Sequence, residues 1–201
     1  MVELTEEEIS RRLAGALRLL AEEDCSARWL TAAPRPAAVL IPFLRMAGEW
    51  HLLFTRRTER VADHKGQVAF PGGSVDPGDL SAEYTALREA EEEIGLNPRD
   101  VTVLGRLHEL PTVTQYCITP VIGVIPWPYP LRLAEIEVSR AFTIPLAWLA
   151  DPLHHETRLR NLPGSAARLK VIYFQPYDGE LLWGVSAQIM LNLLAALGLL
   201  A

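Results

Sequence analysis

Cysteine is scarce in this sequence, and long apolar runs are absent. The 201 residues include two cysteines, Cys25 and Cys117, too few for a disulfide framework or a zinc site. One disulfide could form, but we expect free buried thiols. The acidic start of the chain lacks the features of a signal peptide. The longest apolar stretch, 189–201, is interrupted by Asn192 and is too short to span a bilayer. We therefore expect a cytoplasmic protein without a membrane partner.

An excess of basic residues is also absent. The chain has 19 Lys+Arg against 25 Asp+Glu, a net charge of -6. General nucleic-acid binding needs a basic surface, so we expect no nucleic-acid partner. A hydrophobic content of 49% argues against disorder. An anionic small-molecule substrate stays compatible, because a metal ion and nearby arginines can reverse the sign of the field inside one cleft.

Helix and strand patterns follow one another without regular alternation. Apolar residues at helical spacing after an acidic first turn predict a helical arm in residues 1–30, packed on a domain of residues 31–201. The further helices are predicted at 81–94, 144–149 and 186–197. The strands are predicted at 37–44, 50–55, 67–70, 101–110, 117–125, 158–160 and 169–174. This order favours an α/β (α+β) fold with a mixed sheet flanked by helices.

The last predicted helix carries an apolar stripe. The stripe consists of Ile189, Leu193, Leu194 and Leu197. Such a stripe is either part of the core or the surface of a homodimer, and both interpretations stay open at this point.

Three glutamates share one face of the helix predicted at 81–94. Glu89, Glu92 and Glu93 stand at positions i, i+3 and i+4, so their carboxylates repel one another. A divalent cation would turn this repulsion into attraction, and oxygen ligands suit Mg2+ or Mn2+. Taken alone, such a helix is more often a solvated acidic face.

The segment before this helix favours the metal interpretation. Pro71 is followed by Gly72 and Gly73, which predict a turn. Glycines at that point let the backbone approach a metal or a phosphate closely. Arg88, next to the first glutamate of the acidic face, could brace the carboxylates from the side.

This part of the chain resembles the Nudix box. The matching residues are Gly73, Asp79, Arg88-Glu89, Glu92-Glu93 and Gly95-Leu96. Two departures concern Asp79, which stands where the box has Glu and is one residue further from Arg88 than usual, so its role stays open. The resemblance implies a Nudix-type α/β/α sandwich. It also implies metal-dependent hydrolysis of a nucleoside diphosphate linked to another moiety.

Segments outside the box resemble one branch of this family, the coenzyme A diphosphatases. These segments are 52–57, 64–73, 118–123, 144–149 and 182–187. The resemblance implies that coenzyme A or an acyl derivative is the substrate. The products would be 3',5'-ADP and 4'-phosphopantetheine or its acylated form.

The resemblance to the box also implies residue roles. Glu89 and Glu93 are the first choices as ligands of Mg2+ or Mn2+, with Glu92 as a third ligand or the base. Arg88, Glu92 and Glu93 form the catalytic set. Carboxylates that share one ion titrate as a group, so ligand and base are not divided among them.

A coenzyme A substrate would need fixed positive charge in its pocket. Arginine suits bidentate phosphate contacts. The substrate-binding candidates are Arg56, Arg57, Arg60, Lys65, Gly72 and Gly73. An exposed loop with solvated charges is the alternative for the cationic residues.

Two alternatives to coenzyme A hydrolysis are kept. The first is hydrolysis of another nucleoside diphosphate derivative, such as ADP-ribose, a nucleotide sugar or a dinucleoside polyphosphate. The second, minor one is a non-catalytic module that binds a nucleotide on the same fold. Such modules often lose box carboxylates, whereas Glu89, Glu92 and Glu93 are all present here.

Overall fold

Helices and strands succeed one another along the chain in an irregular order, as the sequence predicts. The computed structural model describes residues 4–19, 33–59, 65–161 and 168–200. The helices there are α1 (Glu6–Leu19), α2 (Ala82–Ile94), α3 (Leu146–Leu149) and α4 (Gly184–Ala196). The strands are β1 (Arg35–Met46), β2 (Glu49–Arg57), β3 (Val68–Ala69), β4 (Gly72–Ser74), β5 (Thr102–Arg106), β6 (Leu110–Pro111), β7 (Tyr116–Val124), β8 (Val138–Pro145), β9 (His155–Asn161) and β10 (Arg168–Phe174).

Strands β1 to β8 form one mixed sheet. Its main path runs β3-β2-β1-β7-β5, with β4 paired to β1, β6 to β7 and β8 to β2. The central pair, β1 and β7, is parallel, and the other pairs are antiparallel. Strands β9 and β10 form a separate antiparallel hairpin. The prediction of a mixed sheet is confirmed.

Helices cover both faces of this sheet. On one face, α2 buries Ala86, Ala90 and Ile94 against apolar residues of β1 and β2. The opposite face is covered by α1, α3 and α4, which contribute Ile9 and Leu193 among others to a second apolar cluster. The architecture is therefore an α/β/α sandwich. Residues 20–30 of the predicted helical arm lie outside the described residues, and the division into an arm and a domain stays a proposal.

The stripe on α4 belongs to the core. Its four residues, Ile189, Leu193, Leu194 and Leu197, are almost completely buried within this chain, so they do not form a dimer surface. A homodimer and a cytoplasmic location stay predictions. No helix in the described part of the chain is long and apolar enough to cross a membrane.

Three sequence-based expectations about local structure are wrong. The expected turn at Gly72 and Gly73 is strand β4, which pairs with β1. Strand β8 was not predicted as a strand, although Val138, Phe142 and Ile144, which are two or four positions apart along it, are buried. Cys117 is part of a disulfide rather than a free thiol, whereas Cys25 lies outside the described residues.

Candidate active site

Helix α2 carries the acidic residues, and local signals fix its two ends. The Ser81 hydroxyl accepts a hydrogen bond from the backbone N–H of Tyr84 at 3.1 Å, as an N-cap residue does. Gly95 ends the helix in the left-handed conformation, with φ 69°. With Ala90 and Ile94 turned to the sheet, the glutamates lie on the flank of the helix that borders β4.

Glu93 is a buried carboxylate held by two other elements. Its exposed fraction is 4%. One oxygen, Oε2, accepts from the backbone N–H of Gly72 at 3.3 Å, and Oε1 lies 3.5 Å from Arg57 Nη1. Burial raises the pKa of Glu93 to about 7, and repulsion by Glu89 and Glu137 adds to it, against the opposing effects of Arg57 and Gly72. The charged form of this carboxylate is therefore costly to bury, and a cation bound beside it would offset that cost.

Glu89 lies against the backbone of Gly73. A Cβ atom at Gly73 would be 2.5 Å from Glu89 Oε1, so any side chain there would have to displace the Glu89 carboxylate. Burial raises the pKa of Glu89. Repulsion from Glu92 and Glu137 raises this pKa further, whereas Arg88 lowers it. The close approach explains why a glycine follows Gly72 at this point of β4.

Arg88 connects the acidic face of α2 to the preceding loop. Its Nη1 lies 3.0 Å from Glu89 Oε1 and 3.3 Å from Glu92 Oε2. Its Nε and Nη2 each donate to Asp79 at 3.1 Å, and Nη2 also donates to the Ser74 carbonyl oxygen. Arg88 therefore contacts Glu89 and Glu92 from the side, and its role in orienting them stays a prediction.

Asp79 anchors the loop before α2. Besides Arg88, its carboxylate accepts from the Thr85 hydroxyl at 2.8 Å and from the Asp76 backbone N–H at 3.0 Å. The hydrogen bonds from Arg88 hold the pKa of Asp79 well below its usual range, and those from Asp76 and Thr85 act in the same direction. These contacts assign a structural role to a residue whose role the sequence left open.

The carboxylates have the chemistry of a divalent-cation site. Glu89 and Glu93 supply hard oxygen donors, and burial, which raises the pKa of both, makes their charged forms costly unless a cation lies close. Across the described ranges, no three or more His, Cys, Asp or Glu side chains are grouped so as to hold a metal ion as they stand. Glu92 is 61% exposed and pairs with Arg88. The three metal ligands stay a prediction.

Arg56 and Arg57 line an open cleft of about 810 Å³ beside Glu93. Neighbouring residues of a strand normally point to opposite faces. The register between β2 and β8 shifts at these two residues. Both line the cleft, but Arg56 pairs with Glu180 and Arg57 pairs with Glu93. Of the other predicted cations, Lys65 lies exposed in the turn before β3, and Arg60 lies outside the described residues.

Sequence reasoning missed several charged residues near this cleft. Glu137 acts electrostatically on Glu89 and Glu93. Arg140 lines the cleft, and Glu180 lies between Arg140 and Arg56. The apolar residues Val138, Phe142 and Ile144, two or four positions apart in the sequence, would have indicated a strand that includes Arg140. No local pattern points to Glu180.

Comparisons with known proteins agree with this geometry. A family model described as "NUDIX domain" matches residues 34–161. A protein named "Uncharacterized Nudix hydrolase NudL" from Escherichia coli (strain K12) is 41% identical over 164 residues, which cover 82% of this chain and 83% of that protein. The protein of the same name from Shigella boydii serotype 4 (strain Sb227) gives the same values. The solved structure of a MutT/nudix family protein from Enterococcus faecalis shares the fold, with a TM-score of 0.55 at 16% identity over 83% of this chain and 62% of that one.

Proposed function

This chain belongs to the Nudix hydrolase family, and from that premise we propose that it hydrolyses the pyrophosphate bond of coenzyme A or acyl-coenzyme A. The products are 3',5'-ADP and 4'-phosphopantetheine or its acylated form. Membership itself gives the coarser statement: the chain is a pyrophosphohydrolase that acts on a nucleoside diphosphate derivative, and enzymes of this family generally use a divalent cation.

The observation that carries the hydrolase assignment is the position of Glu93. Its buried carboxylate lies between the Gly72 backbone and Arg57, which lines the cleft. Glu89 and Glu93 would hold the cation, with Glu92 as third ligand or base. When bound, such a cation neutralises the pyrophosphate charge and lowers the pKa of an attacking water.

The remaining residues of the site orient and bind. Arg88 holds Glu89 and Glu92 in place. Arg57 offers a guanidinium between the carboxylates and the cleft, and its buried Nε has no acceptor among the described residues. A phosphate oxygen near Arg57 would meet a fixed positive charge without side-chain rearrangement. The Gly72 and Gly73 backbone lets substrate and carboxylates approach closely.

Two observations support coenzyme A as the substrate. The segments 52–57 and 64–73, which resemble the coenzyme A diphosphatase branch, include the residues that lie next to Glu93 and the cleft: Arg56, Arg57, Gly72 and Gly73. The cleft of about 810 Å³ is also within the size range of sites for nucleotide-sized ligands.

A substrate panel tests the proposal. The full chain is incubated with coenzyme A, dephospho-coenzyme A, ADP-ribose, a nucleotide sugar and a dinucleoside polyphosphate, each with Mg2+, with Mn2+ and with a chelator. Products are identified by mass. We expect metal-dependent release of 3',5'-ADP from coenzyme A with the highest kcat/KM of the panel. A higher kcat/KM for ADP-ribose would favour the first alternative, and nucleotide binding without hydrolysis of any substrate would favour the non-catalytic module.

A further inference from the structure

Two arginines face each other across strands β2 and β8. Arg56 and Arg140 are directly opposite in the antiparallel register, and both line the cleft. Like charges in opposite positions of a sheet destabilise the pairing. An arrangement of this kind therefore needs a compensating anion nearby.

The carboxylate of Glu180, which lies between β10 and α4, is that anion. Its side chain is 7% exposed, and Oε1 accepts from Arg140 Nη1 at 3.0 Å while lying 3.6 Å from Arg56 Nη1. A buried carboxylate between two guanidinium groups stabilises the positions of both, because each guanidinium offsets part of its charge.

A tight turn delivers Glu180 to this position. The backbones of Tyr177 and Glu180 exchange two hydrogen bonds, and between them Asp178 and Gly179 have positive φ values of 50° and 78°. This is the conformation that Asp-Gly favours in a two-residue hairpin turn. The carboxylate and the carbonyl oxygen of Asp178 also accept hydrogen bonds from Arg140. Most hydrogen-bond donors of the Arg140 guanidinium are therefore used by contacts with this turn.

The guanidinium groups of Arg56 and its neighbour Arg57 lie near different carboxylates. Arg57 lies 3.5 Å from Glu93 on α2, whereas Arg56 lies 3.6 Å from Glu180 in the turn before α4. The contacts of Arg56 with Glu180 and with Glu59, the latter at 4.0 Å, are longer than hydrogen bonds. Its guanidinium, 42% exposed, therefore keeps donors for an anion in the cleft.

We propose that Arg56 binds a phosphate monoester of the substrate, separate from the pyrophosphate that Arg57 and the carboxylates handle, and that Glu180 is the positioning residue that aims Arg56. The proposal rests on the function proposed above and deepens it. Coenzyme A carries such a second phosphate at the ribose 3' position, whereas dephospho-coenzyme A and ADP-ribose carry the pyrophosphate alone. Arg56 thus selects among the candidate substrates.

The first experiment measures kcat/KM for coenzyme A and for dephospho-coenzyme A in four proteins: wild type, Arg56→Gln, Glu180→Gln and Arg11→Gln. Loss of one charge-assisted contact costs about 1.5–3 kcal/mol, so Arg56→Gln should lower the value for coenzyme A roughly tenfold to a hundredfold. The value for dephospho-coenzyme A should change less than about threefold. Glu180→Gln should shift the ratio of the two values in the same direction. Arg11 is a surface arginine paired with Glu8 on α1, and its variant should match wild type.

The second experiment needs no hydrolysis and keeps the two proposals distinguishable. Calorimetry with 3',5'-ADP and with 5'-AMP should show tighter binding of 3',5'-ADP to wild type, and Arg56→Gln should abolish that preference. If coenzyme A is not hydrolysed but the preference holds, the function proposed above fails and the phosphate site stands. Equal binding of both nucleotides by wild type, or equal losses for both in Arg56→Gln, would overturn the phosphate site. If Glu180→Gln lowers kcat/KM equally for both substrates, its role is structural.

Discussion

Arg57 Nη1 lies 3.5 Å from Glu93 Oε1, although the two residues come from opposite ends of a loop-rich segment, on β2 and α2. The contact joins the cleft wall to the acidic helix. Arg57 stabilises the charged form of Glu93, but burial has the larger effect and raises the pKa of Glu93 to about 7. A cation bound beside Glu93 would further stabilise the charged form of its carboxylate. The first two predictions follow from this effect.

Glu93→Gln should abolish most of the hydrolytic activity while preserving the fold. The amide keeps the shape of the side chain but supplies no negative charge for a cation or a proton transfer, so we expect turnover to fall on the order of a hundredfold to ten-thousandfold. Turnover with Mg2+ and the far-ultraviolet circular dichroism spectrum are the measurements. Glu91→Gln, an exposed position on the same helix, is the control. Near-normal turnover of Glu93→Gln would remove Glu93 from the catalytic set.

The same substitution should stabilise the metal-free protein at alkaline pH. The folded-state pKa of Glu93, about 7, exceeds the ordinary value of 4.5, so the folded state binds the proton more tightly than the unfolded state. The resulting stabilisation is complete below about pH 4.5 and is lost as the pH rises through about 7. Glu93→Gln removes this dependence.

Urea unfolding in a chelating buffer measures this effect. At pH 8, Glu93→Gln should have the higher free energy of unfolding, by on the order of 1–3 kcal/mol, and the difference should vanish at pH 4.5. Added Mg2+ should stabilise wild type and not the variant. Equal stability of both proteins at pH 8 would contradict the raised pKa of Glu93.

Much of α2 could be predicted from the sequence because its signals are local. Ser81 caps its first turn and Gly95 ends it with φ 69°, and the position of the three glutamates on one face follows from the helical period. Strand β4 could not be predicted in this way. Two consecutive glycines favour a turn locally, and only the pairing of Gly72 and Gly73 with β1 makes them a strand.

The contacts between distant segments were also beyond local patterns. The sequence places Arg56 and Arg57 in front of the box, but that both residues line one cleft depends on the pairing of β2 with β8. Glu180 reaches Arg56 across more than a hundred residues of chain. Such contacts follow from the order of strands in the sheet, which a single sequence specifies only through the complete fold.

The two glycines of β4 should respond differently to alanine substitution. A Cβ atom at Gly72 would lie 2.4 Å from the Ala38 carbonyl oxygen and 2.6 Å from Val39 Cα, so Gly72→Ala must displace backbone and weaken the β1–β4 pairing. A Cβ at Gly73 meets the carboxylate of Glu89 at 2.5 Å, which can swing aside. We therefore expect Gly73→Ala to lose activity while largely keeping its stability.

Gly78→Ala is the matched control for both variants, because nothing lies within 4 Å of a Cβ atom at Gly78. Thermal unfolding should rank Gly72→Ala clearly below the other two, with a loss on the order of 1–3 kcal/mol. Turnover of Gly73→Ala should fall at least about tenfold relative to Gly78→Ala. Wild-type turnover of Gly73→Ala would show that the position of Glu89 is unimportant for the reaction.

Asp79→Asn should weaken the loop before α2, and the effect should depend on pH. Arg88 holds the pKa of Asp79 below its ordinary value of 3.8, so the stabilisation by this carboxylate is present above that value and is lost as the pH falls below it. The variant should thus be less stable than wild type at pH 7 and should approach it in acid. Asp76→Asn is the control, because Asp76 is largely exposed and lies 3.7 Å from Arg88. Urea unfolding at pH 7 and at pH 3 measures this dependence. If the stability difference between wild type and variant is the same at both pH values, Asp79 acts through hydrogen bonds that the amide lacks and not through its charge.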